Sequence, residues 1–113
     1  MQPRLASHVL VSALLRRADS EGGFGAVLAK GDREAGAITL ILAEKGRKLR
    51  ILERLLQADG SYLWQQIQTQ ATENEEELDN FLARRRKYDP DIWVIELDIA
   101  SAERFAAEIN SSG

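Results

Sequence analysis

Between Arg84 and Asp98 the chain changes its structural period, and that change constrains the fold more than any other feature. Leu78, Phe81, Leu82 and Arg85 recur at helical spacing, whereas Trp93, Ile95 and Leu97 alternate with Val94, Glu96 and Asp98 at the period of a strand. Pro90 sits at the switch. Its ring disfavours helical geometry at Asp89, so the helix stops there. The aspartates on either side of it suit a turn, because each can hydrogen-bond its own backbone. Ile92 and Val94 are apolar on the face opposite Trp93 and Ile95, so this strand is expected to be interior or covered on both sides.

The remaining elements arrange themselves around that junction. Leu5 to about Ala18 reads as a helix, with Arg16 and Arg17 in the last turn, where cations complement the helix dipole. Residues 25–30 and 36–43 read as strands joined by the polar loop 31–35, with Gly31 and Gly36 as hairpin punctuation. Arg47 to Leu56 follows through Lys45-Gly46, and Ser61 to Gln68 follows through Asp59-Gly60, a strong hairpin signal. Thr72 and Glu75 have the form of a capping box opening the helix that ends near Tyr88. Ser101 is the expected N-cap of a closing helix that reaches about Ile109, with 110–113 as a frayed tail. The order α-β-β-β-β-α-β-α predicts an α+β class, an antiparallel β-meander with flanking helices, in a single domain spanning 1–113. A chain of 113 residues buries roughly two thirds of its unfolded surface without disulfides or metal.

Several function classes find no support. Cysteine is absent, which removes disulfides, thiol nucleophiles and thiolate metal sites. His8 is the only histidine, too few for a zinc site, and no nucleophile-base pair is legible; catalytic, metal and cofactor residues are therefore none. Gly22, Gly23 and Gly25 form neither dinucleotide nor phosphate-loop spacing. Asp89 and Asp91 suit the turn, and Glu96 and Asp98 are expected to alternate outward from the strand, so the four fit turn and strand chemistry better than a hard-metal cluster. A net charge of -3 supplies no global field for nucleic acid or anionic lipid. No apolar run approaches the ~20 residues of a membrane span, and the first residues lack a signal-peptide core. The expected location is the cytoplasm.

Two surfaces remain as candidates. If both turns are two-residue loops, Leu40 lies opposite Ile51, Ile41 opposite Arg50, and Leu55 opposite Trp64. One sheet face then collects Ile38, Leu40, Leu42, Leu49, Ile51, Leu55, Tyr62 and Trp64 as core. The other mixes apolar and cationic residues, and its Ile41, Leu52, Leu56, Leu63 and Ile67 form the expected interaction face. The leading expectation is a non-catalytic protein-interaction module, self-associating as a homodimer. The alternative is RNA or DNA backbone binding through a basic edge of Lys48, Arg50, Arg54, Arg84, Arg85 and Arg86. That alternative is weakened because the same register separates Tyr62 and Trp64 from Lys48, Arg50 and Arg54. A small enzyme is the weakest reading.

The stretch Tyr88-Asp89-Pro90-Asp91-Ile92-Trp93-Val94-Ile95-Glu96 resembles the C-terminal signature of a small bacterial domain-of-unknown-function family, number 1491. Ala13-Leu14-Leu15-Arg16-Arg17 and Gly31-Asp32-Arg33-Glu34-Ala35-Gly36-Ala37 resemble its other recurring segments. His8 stands where that pattern leads one to expect an aromatic. The family carries no assigned activity, so the resemblance implies a fold and leaves function open.

Overall fold

The computed structural model describes residues 5–67 and 71–111. The order is α1 (Ser7–Ser20), β1 (Phe24–Ala29), β2 (Ile38–Glu44), β3 (Arg47–Leu56), β4 (Tyr62–Gln66), a short 3-10 turn (Ala71–Glu73), α2 (Glu75–Tyr88), β5 (Trp93–Asp98) and α3 (Ala102–Ser111). The α+β class and the element order are those expected. The five strands form one sheet in the order β1-β5-β2-β3-β4. β2, β3 and β4 are the antiparallel meander, but β5 runs parallel to β2 and lies between it and β1. β1 therefore pairs antiparallel with β5 and makes no hairpin with β2.

The insertion of β5 has a local cause. Asp32 donates its backbone N–H to the Asp91 carbonyl at 2.9 Å, and the Trp93 N–H donates to Ala37 at 2.7 Å. The Trp93 indole donates to the Asp32 carbonyl at 2.8 Å. Loop 30–37 is thus tied to the start of β5, and the Asp32 carboxylate closes it internally by accepting from Glu34 and Ala35. From the other side Ser7 Oγ donates to the Gly36 carbonyl at 2.6 Å. Gly31 and Gly36 permit this packing: a Cβ on either would overlap the Asp91 carbonyl oxygen. The two longest segments that resemble the family signature are, in space, one junction.

Helices cover both faces of the sheet. Val11, Leu14 and Ala18 of α1 and Ala102 and Phe105 of α3 pack on Ile38, Leu40, Leu42, Leu52, Trp64, Trp93, Ile95 and Leu97. On the opposite face Leu78, Phe81 and Leu82 of α2 cover Ile41, Ile51 and Val94. Full burial of a side chain such as Ile95 or Leu97 contributes roughly 2 kcal/mol. β5, interior and covered on both faces, is the expected double-sided strand. Arg17 fastens α1 to α3, its Nη2 donating to Glu108 at 2.8 Å while its guanidinium lies 4.6 Å from the Phe105 ring centroid. Hydrogen bonds from Arg104 and then from Arg17 hold the Glu108 carboxyl below its ordinary pKa.

Three local expectations are corrected. Asn74 rather than Thr72 caps α2, its side chain accepting from Glu76 at 2.8 Å and Glu77 at 3.1 Å. Thr72 lies in the preceding 3-10 turn. Asp98 does not face outward: its carboxylate is buried and accepts from the Lys45 and Gly46 N–H groups at 3.0 and 2.7 Å. It thereby holds the β2–β3 turn, where both residues have positive φ. Finally, Asn110 is helical and not part of a frayed tail; Ser112 and Gly113 lie outside the described residues. Gln68, the expected end of β4, also lies outside them.

Candidate interaction surface

The strand registers decide which side chains meet, and they differ from expectation twice. Glu44 pairs with Arg47 and Ala43 with Lys48, as a two-residue turn requires, but then Leu42 faces Arg50. Leu49 is the extra residue of a bulge. Beyond it every pair moves by one, so Ile41 meets Ile51 and Leu40 meets Leu52. The second difference is the β3–β4 loop. Gln57 N–H donates to the Ser61 carbonyl at 2.7 Å, closing a loop that contains Ala58, Asp59 and Gly60. Gly60 takes φ +88, the left-handed residue that a three-residue hairpin needs. Leu56 consequently meets Tyr62, Leu55 meets Leu63, and Arg54 meets Trp64.

The expected interaction face is dispersed by these shifts. Ile41 is fully buried under α2, and Ile67 packs against the same cluster. Leu52 is buried in the opposite layer with Leu40 and Trp64. Leu56 and Leu63 are exposed, on opposite faces of the hairpin. Leu55 and Tyr62, expected in the core, are exposed beside them. The result is a projecting hairpin end on which Leu55 (38%), Leu56 (55%), Tyr62 (37%) and Leu63 (42%) are accessible together.

The basic edge is likewise divided. Lys48 lies 3.7 Å from Glu96 and 3.8 Å from Glu75 on the α2 face. Arg50 and Arg54 fall on the opposite face, with Trp64 and Tyr62, contrary to expectation. Arg50 Nη1 donates to Gln66 Oε1 at 2.6 Å, and the Arg54 guanidinium lies 3.9 Å from the Tyr62 ring centroid. Arg85 is paired with Glu53 and stacks near Phe81. Arg84 and Arg86 are exposed, as is Lys87, and Tyr88 beside them is 85% exposed.

Sequence reasoning missed Leu55, Tyr62, Tyr88 and Asn110. Each loop carries one glycine, yet Lys45-Gly46 closes a two-residue turn with positive φ at both residues while Gly60 closes a three-residue loop, so the glycine count does not mark the difference. Nothing in the sequence marks the bulge at Leu49. Elsewhere, a groove of about 270 Å³ is lined by Glu21, Ile99, Ala100, Ser101, Arg104 and Phe105. Among the described residues, no three acidic or histidine side chains are grouped so that they could hold a metal ion. No helix among them is long and apolar enough to cross a membrane.

These features define a class: a small α+β domain, with a mixed five-stranded sheet between helical layers and an apolar hairpin at one sheet edge. The family model described as "Protein of unknown function (DUF1491)" matches residues 5–107. The chain belongs to the DUF1491 family. It is similar to the crystal structure of a DUF1491 family protein from Caulobacter crescentus CB15, at 33% identity and TM-score 0.73, covering 84% of this chain and 88% of that one. An NMR structure of a DUF1491 family protein from the same organism gives 31% identity and TM-score 0.74, with 88% and 90% covered. The solution structure of protein Atu0922 from A. tumefaciens gives 30% identity and TM-score 0.73, with 88% and 89% covered. No curated protein matches the chain.

Proposed function

We propose that this chain is a non-catalytic protein-interaction module of the bacterial cytoplasm that self-associates through the end of its β3–β4 hairpin. One observation carries the reading: Leu55, Leu56, Tyr62 and Leu63 are exposed together on both faces of one edge hairpin. Scattered exposed leucines are ordinary, but four large apolar side chains on a projecting element favour association. The occupant is a second copy of this chain. From Gly60 to Thr72 the sequence has no charged residue and no proline, so like surfaces meet without repulsion. Sedimentation equilibrium at tens of micromolar is expected to show a dimer. Leu55→Ser combined with Leu63→Ser is expected to weaken it at least tenfold, about 1.4 kcal/mol. A strict monomer at those concentrations overturns the reading.

A second reading, backbone-level RNA binding, is favoured by a separate observation. Arg84, Arg86 and Lys87 form no ion pair among the described residues, and the exposed Tyr88 beside them offers a stacking surface. Binding of labelled single-stranded RNA is then expected to weaken with salt. Replacing Arg84 and Arg86 by glutamate is expected to lower the log-log slope by about 1.4, since each phosphate contact on a single strand contributes about 0.7. Absence of binding in low salt overturns it.

A further inference from the structure

β4 is an edge strand, paired on one side with β3. Among the described residues, its other side is blocked at one point. Asn110, in the last turn of α3, accepts from the Trp64 N–H through Oδ1 at 2.8 Å and donates through Nδ2 to the Trp64 carbonyl at 2.7 Å. A carboxamide presents one acceptor and one donor, the same pair that a residue of an adjoining strand would present. Asn110 therefore occupies the position of a sixth strand at a single residue.

We propose that the β4 edge is a strand-addition site, that its occupant is β4 of a second copy, and that Asn110 is the guard displaced when the two strands pair. The proposal deepens the self-association reading and rests on it. Sheet edges are ordinarily protected by lysine, proline or other charged residues. β4, Tyr-Leu-Trp-Gln-Gln, has none, and the uncharged stretch runs on to Thr72. A charged partner segment finds no complement along this strand, whereas a second neutral, β-prone strand does. Antiparallel pairing about a two-fold axis at Trp64 exchanges both of its backbone hydrogen bonds with the Trp64 of the second copy and sets Leu63 opposite Gln65. The guard lies close to a helix end, where frayed conformations are cheapest, so releasing it needs only the last turn of α3 to lift.

Strand pairing in the native chain trades two hydrogen bonds to Asn110 for two to the partner. In Asn110→Ala the edge groups of Trp64 have no such internal partner to give up. The dimer is expected to tighten by about tenfold or more in sedimentation equilibrium. Adding Leu63→Lys and Gln65→Lys, which places like charges opposite each other, is expected to reverse the gain. A dimer in the native protein whose affinity is unchanged by Asn110→Ala overturns the strand-addition proposal and leaves the self-association reading standing. A monomeric native protein that dimerises on Asn110→Ala overturns the reading and keeps the guard. Should the variant fail to fold, the native protein is titrated with a synthetic peptide of residues 61–67 and followed by amide NMR. The Trp64 amide and the Asn110 side-chain amide are expected to shift together, and no movement of either overturns the proposal.

Discussion

Gly31→Ala is expected to lower stability by about 3 kcal/mol, at the upper end of the cost of forcing atoms into a filled site. The new Cβ would overlap the Asp91 carbonyl oxygen and lie 2.7 Å from the Ile92 carbonyl carbon. Both are backbone atoms at the entry to β5 and cannot turn aside as a side chain could. Moving the Asp91 carbonyl also breaks its hydrogen bond from Asp32. Gly22 provides the control. Its φ is +84, yet nothing lies within 4 Å of an added Cβ, so Gly22→Ala costs only the left-handed backbone penalty, about 1–2 kcal/mol. Urea midpoints of the two variants separate steric exclusion from backbone preference. Equal midpoints would refute the packing argument at Gly31.

The second large effect lies at Trp93, on the other side of the same junction. Trp93→Ala is expected to cost about 4 kcal/mol, because a buried indole leaves a cavity in the α1–α3 layer. Trp93→Phe keeps most of the apolar volume but removes the donor that reaches the Asp32 carbonyl at 2.8 Å. Asp32 is exposed and water can replace that bond, so the phenylalanine variant is expected to lose only about 1 kcal/mol. Thermal or denaturant unfolding of the pair tests this ordering. If Trp93→Phe costs as much as Trp93→Ala, the hydrogen bond and not the packing secures loop 30–37.

Local signals in the chain were read well where one residue type has one physical use. Pro90 ended α2, the Asp89 carboxylate closed the turn by accepting from the Asp91 N–H at 3.1 Å, and the two-sided apolar pattern placed β5 in the interior. Ser101 caps α3 as expected, its Oγ accepting from the Arg104 N–H at 3.2 Å. The site was less legible, because faces depend on parity. The bulge at Leu49 and the extra loop residue before Ser61 each shift pairing by one. The two shifts cancel for Trp64, which therefore joins Leu40 in the core as expected. They do not cancel for Leu52, Arg50 or Leu55, whose faces were exchanged.

The sequence by itself determined the number, kind and order of the elements, since helical and strand periods, turn residues and caps act over a few neighbouring positions. It also carried the family, through Gly31–Ala37 and Tyr88–Glu96. Only the tertiary structure decided that those two segments are one junction and that β5 separates β1 from β2. It alone showed that the hairpin exposes Leu55 and Tyr62, and that Asn110 closes the β4 edge. Those outcomes depend on contacts between residues far apart in the chain, and a one-residue change of register, invisible in composition or periodicity, reverses them.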